Sequence, residues 1–168
     1  ETLKNNNIDK NNFKDMLIVY YYKTNLTLQD TLGDEYEEVK EKFPLMNFFV
    51  KENIMSISDY NKVAKLYGNK AYTLKENEYI VIADYNSMID IRNKALNKNS
   101  KVTVNDNVLT PKYSECKYGF VDVGAQHLNS GIIVVPDNVV NENMPKKEIL
   151  LANYNANTKV EKQKINSL

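Results

Sequence analysis

Ser58–Asn69 reads SDYNKVAKLYGN, and Glu78–Asn86 downstream reads EYIVIADYN. In the first stretch Tyr60, Val63, Ala64 and Tyr67 recur at i, i+3, i+4 and i+7, the spacing of one helix face. Lys62 and Lys65 fall on the opposite face. Ser58 stands where an N-cap is expected, Asp59 suits the positive N-terminal end, and Gly68 is placed to end the helix in a left-handed conformation. The second stretch is an unbroken β-branched and aromatic run that breaks at Asp84–Asn86, which reads as a buried strand entering a turn. A helix followed by a strand, without regular βαβ alternation elsewhere, points to α+β rather than α/β.

Working outward, Asn86–Asn99 (NSMIDIRNKALNKN) reads as a second helix capped by Asn86, with Met88, Ile91 and Ala95 inward and Asp90 four residues before Lys94. Lys101–Thr110 (KVTVNDNVLT) reads as a hairpin turning at Asn105–Asn107. Strands are expected at Met16–Tyr22, covered on both faces, and at Leu45–Val50 and Asn53–Ile57, joined by a polar turn at Lys51–Asn53. Further strands are expected at Cys116–Ala125, Ser130–Pro136 and Glu148–Asn155. Thr27–Asp30 suits a short helical turn. Asp34 can cap a helix placing Tyr36, Val39 and Phe43 together, with Glu38–Lys42 as an i,i+4 pair and Pro44 as the stop. The expectation is one α+β domain over 1–168, with room for two small lobes. It holds a mixed, mainly antiparallel sheet and two to four helices. Residues 1–13 are expected to be loosely ordered and 157–168 to be a polar, helix-compatible tail.

The 22 basic and 22 acidic residues cancel, and the lysines are scattered, which argues against a nucleic-acid-binding surface. Arg92 is the sole arginine. Cys116 is the sole cysteine, so no internal disulfide forms. No apolar run reaches the roughly 18–20 residues that a membrane span needs. The start at Glu1, without a signal peptide, reads as a piece of a longer or processed chain.

The candidate chemistry is thin. Gly119 and Gly124 have the glycine spacing of a phosphate-binding loop, but Ala125-Gln126 stand where Lys and Ser/Thr are needed. Cys116 and His127 could form a thiol–imidazole pair only if the fold brought them together, and no nucleophile signature surrounds either. Ser130 lacks the nucleophile-elbow pattern. Asp84, Asp90 and Asp122 sit beside turns or helix starts, where capping is the usual role. The expectation is therefore no catalytic residue, no metal ligand and no cofactor. Tyrosine is enriched at interfaces, so the exposed members of Tyr60, Tyr67, Tyr72, Tyr79 and Tyr85 are the candidate contact surface.

Met55–Met88 (MSISDYNKVAKLYGNKAYTLKENEYIVIADYNSM), Lys101–Tyr113 (KVTVNDNVLTPKY) and Ser130–Val140 (SGIIVVPDNVV) resemble the large extracellular domain of FtsX-like ABC transporter permeases of low-GC Gram-positive bacteria. The likeness is to the bacitracin-export, antimicrobial-peptide-resistance type, and it covers about half the chain, from Ile54 to Val140. It implies a non-catalytic domain at the extracellular face of the cell membrane, held between two spans of the same permease, with ATP hydrolysed by a separate cytoplasmic subunit. A membrane sensor kinase or an extracellular peptide would be further partners, and nucleic acid would not. The substrate would be an antimicrobial peptide, a lipid-linked precursor or a lipoprotein. Within the same class, a division-type domain activates a cell-wall hydrolase. A small soluble enzyme and a secreted binding module are the alternatives from other classes.

Overall fold

The computed structural model describes residues 13–119, 121 and 130–154. Strand β1 (Phe13–Thr27) leads into helices α1 (Leu28–Leu32) and α2 (Tyr36–Lys42), separated by a 3-10 turn at Gly33–Glu35. Then follow β2 (Lys51–Ser56), helix α3 (Ile57–Tyr67), β3 (Glu78–Ala83) and helix α4 (Asn86–Asn97). The chain continues through β4 (Val102–Val104), β5 (Asn107–Pro111), β6 (Lys117–Tyr118), β7 (Ile132–Val135) and β8 (Lys146–Tyr154). The described residues divide into two compact units, one over Tyr20–Glu148 and one from 13–19 with 149–154.

The α+β expectation holds. The strands form one mixed sheet in the order β4-β5-β3-β7-β2-β1-β8, with β6 paired to β3. β1–β2, β3–β7 and β4–β5 are antiparallel, whereas β2–β7, β3–β5 and β3–β6 are parallel. β7 is central, with Val134 opposite Met55 on β2 and Ile80 on β3. Its four residues, IIVV, are all buried, as a strand covered on both faces requires. Ile133 and Val135 join Ile54, Val81, Leu96 and Leu109 in one core. Alternation turns Ile132 and Val134 to the other face, and α3 packs there against β2 and β7. A second core gathers Leu28, Leu32, Val39, Phe48, Met88, Ile91 and Ala95 between the helices.

Several local readings need correction. Ser56, not Ser58, caps α3: its hydroxyl accepts from the Asp59 N–H at 3.1 Å. Gly68 ends that helix at φ 72°, as its left-handed role requires. Asn86 is the first residue of α4 and Tyr85 its N-cap. Lys94 bonds Glu38 at 2.6 Å rather than pairing with Asp90. Ile18 on β1 is 46% exposed, so that strand is not covered on both faces. Leu45–Val50 is not a strand. Its carbonyls serve α1 instead, with Phe48 O and Val50 O accepting the Gln29 and Leu28 N–H groups at 3.0 and 3.1 Å. Lys51–Asn53, expected as a turn, begins β2, because Glu52 points inward to a charge partner.

That partner is Arg92. Both Nη atoms donate to the two Glu52 oxygens, at 2.9 and 3.0 Å, with the side chains 5% and 6% exposed. Nε donates to Ser130 O at 2.6 Å, and Thr31 Oγ1 shares its one proton between Leu28 O at 2.8 Å and Glu52 Oε1 at 3.2 Å. The fork therefore ties α1, β2, α4 and the approach to β7. Gly131 lies against the guanidinium at φ 125°, and a Cβ there would stand 2.3 Å from Arg92 Nε. Only a planar bidentate cation fills this position, so a lysine cannot substitute.

Three outcomes follow from these contacts. Glu52→Gln lowers unfolding free energy by about 3–5 kcal/mol in urea titrations, the usual cost of orphaning one partner of a buried pair, and Arg92→Lys, which keeps the charge but loses the fork, costs part of that. Gly131→Ala is also destabilising, through the contact and the positive φ. Glu38, exposed between Lys42 and Lys94, is lowered from near 4.5 to about 2 by hydrogen bonds from both. Its depressed value stabilises the fold above about pH 4.5, and that contribution is lost as pH falls towards 2. A Glu38→Gln chain loses the corresponding part of its pH dependence, and added salt shrinks the difference.

Candidate contact surface

The opening of α3 holds three other parts of the chain. Ser58 donates from its N–H to Asp137 Oδ1 at 3.1 Å and from its hydroxyl to Asp137 Oδ2. Asp59, 5% exposed, accepts from the Tyr20 N–H at 3.1 Å and from Lys62 Nζ at 2.8 Å. The Tyr60 hydroxyl donates to Lys70 O at 3.1 Å. Asn61 clamps the backbone of Tyr72 from both sides, donating from Nδ2 to its carbonyl at 2.8 Å and accepting its N–H at 3.0 Å. Residues 69–77 carry no regular structure, yet these bonds fix where Tyr72 sits. Lys112 Nζ adds a bond to Thr73 O at 2.7 Å.

The half-buried Tyr72 ring stands 6.0 Å from Tyr60 beneath it and 6.0 Å from Tyr113, edge to face. Lys70 Nζ lies 5.6 Å from the Tyr72 ring, and Lys112 and Lys117 Nζ lie 5.8 and 4.3 Å from the Tyr113 ring. Each such pairing contributes roughly 0.5–1 kcal/mol when exposed. Lys112 also meets Glu78 at 3.8 Å, whereas among the described residues no carboxylate lies within ion-pair distance of Lys70 or Lys117. Tyr118, 71% exposed, adds another ring in the adjoining sequence. Two held aromatic rings with ammonium groups over them have the features of a contact surface.

Of the five tyrosines whose exposed members were the candidate surface, two are not exposed. Tyr60 and Tyr79 are core residues, 0% and 1% exposed. Each buries its ring and satisfies its hydroxyl on a carbonyl, Tyr79 on Ser100 O at 2.7 Å. Burial pushes Tyr60 up to about 12 and raises Tyr79 further. Tyr67 is half-buried on α3, and Tyr85 is exposed at the start of α4, 39% accessible. Of the five, Tyr72 has a lysine over its ring, with Tyr60 packed beneath it. The residues missed were Tyr113, Tyr118 and the lysines, whose signal is the repeated Lys-Tyr pair in Lys112-Tyr113 and Lys117-Tyr118.

A second exposed surface lies between α2 and β2, where Phe43, Leu45, Phe49 and Val50 are 42%, 100%, 69% and 54% exposed. Beside it, a cavity of about 230 Å³ is lined by Leu28, Met46, Val50 and Met88, with Glu52 and Arg92 also in its wall.

Cys116 is half-buried, and its backbone N–H bonds Asn93 Oδ1 at 2.7 Å. Burial pushes its thiol up to about 11, against the lowering influence of Arg92 and Lys117. His127, Asp122, Gly124 and Gln126 lie outside the described residues. Among the described residues no three His, Cys, Asp or Glu side chains converge as a metal ion would need. Comparison with protein-family models, with curated proteins and with solved structures finds no match to this chain.

The raised thiol value sets a reactivity. Iodoacetamide at pH 8 modifies Cys116 about a hundredfold more slowly in the native chain than in urea, since the thiolate is the reacting form. The native rate climbs roughly tenfold per pH unit towards pH 11. Mass spectrometry of quenched samples reads both.

Proposed function

We propose that the chain is a non-catalytic extracellular domain of an FtsX-like ABC transporter permease. It contacts a substrate (an antimicrobial peptide, a lipid-linked precursor or a lipoprotein) and couples that contact to ATP-driven motion of the attached membrane helices. One observation carries the reading. The sequence segments that resemble that family are the ones that lock together: Ser58 of the first bonds Asp137 of the last. Within the first segment, Asn61 positions Tyr72. The resemblance therefore falls on residues that build one unit of structure around the lysine-lined tyrosines.

Coupling demands that the substrate bind one conformation of the permease better than another. Helix α3 suits that role. Its N-terminus is tied to the turn after β7 through Asp137, and its Asn61 holds the tyrosine surface. A load on Tyr72 thus reaches the sheet through hydrogen bonds rather than through a slack loop. The separate ATPase subunit and the remainder of the permease are the partners this function requires.

The test uses the complete reading frame in its native cell. Tyr118→Cys, in a Cys116→Ser background, is labelled by a membrane-impermeant maleimide in intact cells. Labelling only after lysis, or a reading frame with no apolar span beside this segment, overturns the proposal. Paired Tyr72→Ala and Tyr113→Ala substitutions weaken substrate binding by about tenfold, the usual scale for losing aromatic anchors, while the thermal midpoint stays above the assay temperature.

A further inference from the structure

We propose that the cleft between β4 and the irregular part of β1 binds an extended peptide segment of a partner by strand addition, centred on the backbone of Thr103. This goes beyond the permease reading and holds whether or not the chain belongs to that family.

Among the described residues β4 is the terminal strand of the sheet, bonded only to β5. The hairpin register is Val102↔Leu109, Thr103↔Val108 and Val104↔Asn107, closed by Asn105 and Asp106 at φ 46° and 64°. Two residues with positive φ make a type I′ turn, so Val104 and Asn107 exchange the closing hydrogen bonds. Alternation then makes Thr103↔Val108 a non-bonded pair and turns the N–H and C=O of Thr103 away from β5. Neither group has a backbone partner among the described residues. An edge of this kind is a template for another strand.

The space beside it has the form of a slot. β1 and β4 are separated by four strands in the sheet order, yet Tyr22 and Leu26 share a core with Val102 and Val104. The sheet is therefore curled, and the edge of β4 looks across at β1. There β1 falls out of register with β2 between Lys23 and Thr27. Two clefts, about 610 and 700 Å³, lie along this line and share Asn25, Leu26 and Thr103. One extends to Tyr36 and Gly33, the other to Met144 and Lys23. The hairpin turn at the second end is fastened, with Asn105 Nδ2 donating to Val139 O at 3.1 Å.

These features select the occupant. The edge offers one N–H and one C=O side by side, which an extended peptide matches and a lipid chain or a compact metabolite does not. Leu26, Tyr36 and Met144 give apolar contacts at intervals, as the alternating side chains of a strand require. Lys23, Lys51 and Lys101 stand among the lining residues against Asp30 and Asp106, so the slot carries both signs of charge and suits a peptide without strong net charge.

The experiment selects a phage-displayed library of random linear decapeptides on the full 168-residue chain, with counter-selection on Thr103→Pro. Proline removes the outward N–H and leaves the β4–β5 hydrogen bonds in place. The enriched peptide is synthesised in plain form and in a form N-methylated at alternate residues. The proposal expects at least tenfold weaker binding by the methylated peptide and by Thr103→Pro. It also expects at least tenfold slower amide exchange at Thr103 when wild-type chain is saturated with plain peptide. That last measurement needs no variant and stands even where Thr103→Pro folds poorly. No clone that distinguishes the two chains, equal binding of the methylated peptide, or unchanged Thr103 exchange overturns it. A dimeric chain with Thr103 already protected assigns the slot to a second copy and overturns it equally.

Discussion

The fork between Arg92 and Glu52 is the constraint on which the larger unit depends. Burying two charges is costly, and their attraction repays that cost only with near-ideal geometry and every remaining atom satisfied. Here both Glu52 oxygens are met by guanidinium nitrogens, Thr31 adds a third donor, and the Arg92 Nε is matched by a backbone carbonyl. The pair converts a local requirement into a global one. β2 and α4 must meet before either charge is compensated, and α1 and the lead-in to β7 must join them before the remaining polar atoms are satisfied. Glycine at position 131 belongs to the same constraint, since a side chain there would occupy the guanidinium's space.

From that fixed point the candidate surface is reached through short polar links rather than through packing alone. The chain from β7 to Asp137, from Asp137 to Ser58, and from Asn61 to Tyr72 passes through side chain–backbone and side chain–side chain bonds. An irregular segment thereby presents a ring in one orientation. Ordering a residue costs about 1–2 kcal/mol of backbone entropy, and the Asn61 clamp meets that cost at Tyr72 with two bonds to one residue. Presenting the aromatic face already ordered removes that expense from any binding event.

The helix over 57–67 was legible because four apolar residues share its period and a glycine ends it. The residue that caps it was not, because Ser56 and Ser58 are equally good acceptors in sequence. What separates them is Asp137, seventy-nine positions away, which engages Ser58. Leu45–Val50 has strong strand propensity, but its carbonyls are spent on the start of α1, and no pattern within six residues reveals that. Glu52 lies in a polar triplet that reads as a turn because charge is normally outside. The only arginine is its bidentate partner, but nothing in a sequence separation of forty residues couples the two. Among the tyrosines, identity gave no hint of depth: Tyr60 and Tyr79 are buried while Tyr118 is exposed, and each depth follows from which sheet face or edge the residue meets.

The middle of the sheet is supplied by a late part of the chain. β7, at 132–135, separates β2 from β3, which precede it by some eighty and fifty positions and cannot bond each other around it. During synthesis both strands are complete while the place between them is empty, and each holds an open apolar edge of the sort that recruits foreign strands. Closure of the larger unit thus waits for a segment made well after the strands it joins. The N-terminal two-thirds can form α3, α4 and the β4–β5 hairpin locally, but the core closes only when residues 130–135 arrive. Non-local closure of this kind is slow, and it makes the nascent chain rely on whatever shields β2 and β3 in the interval.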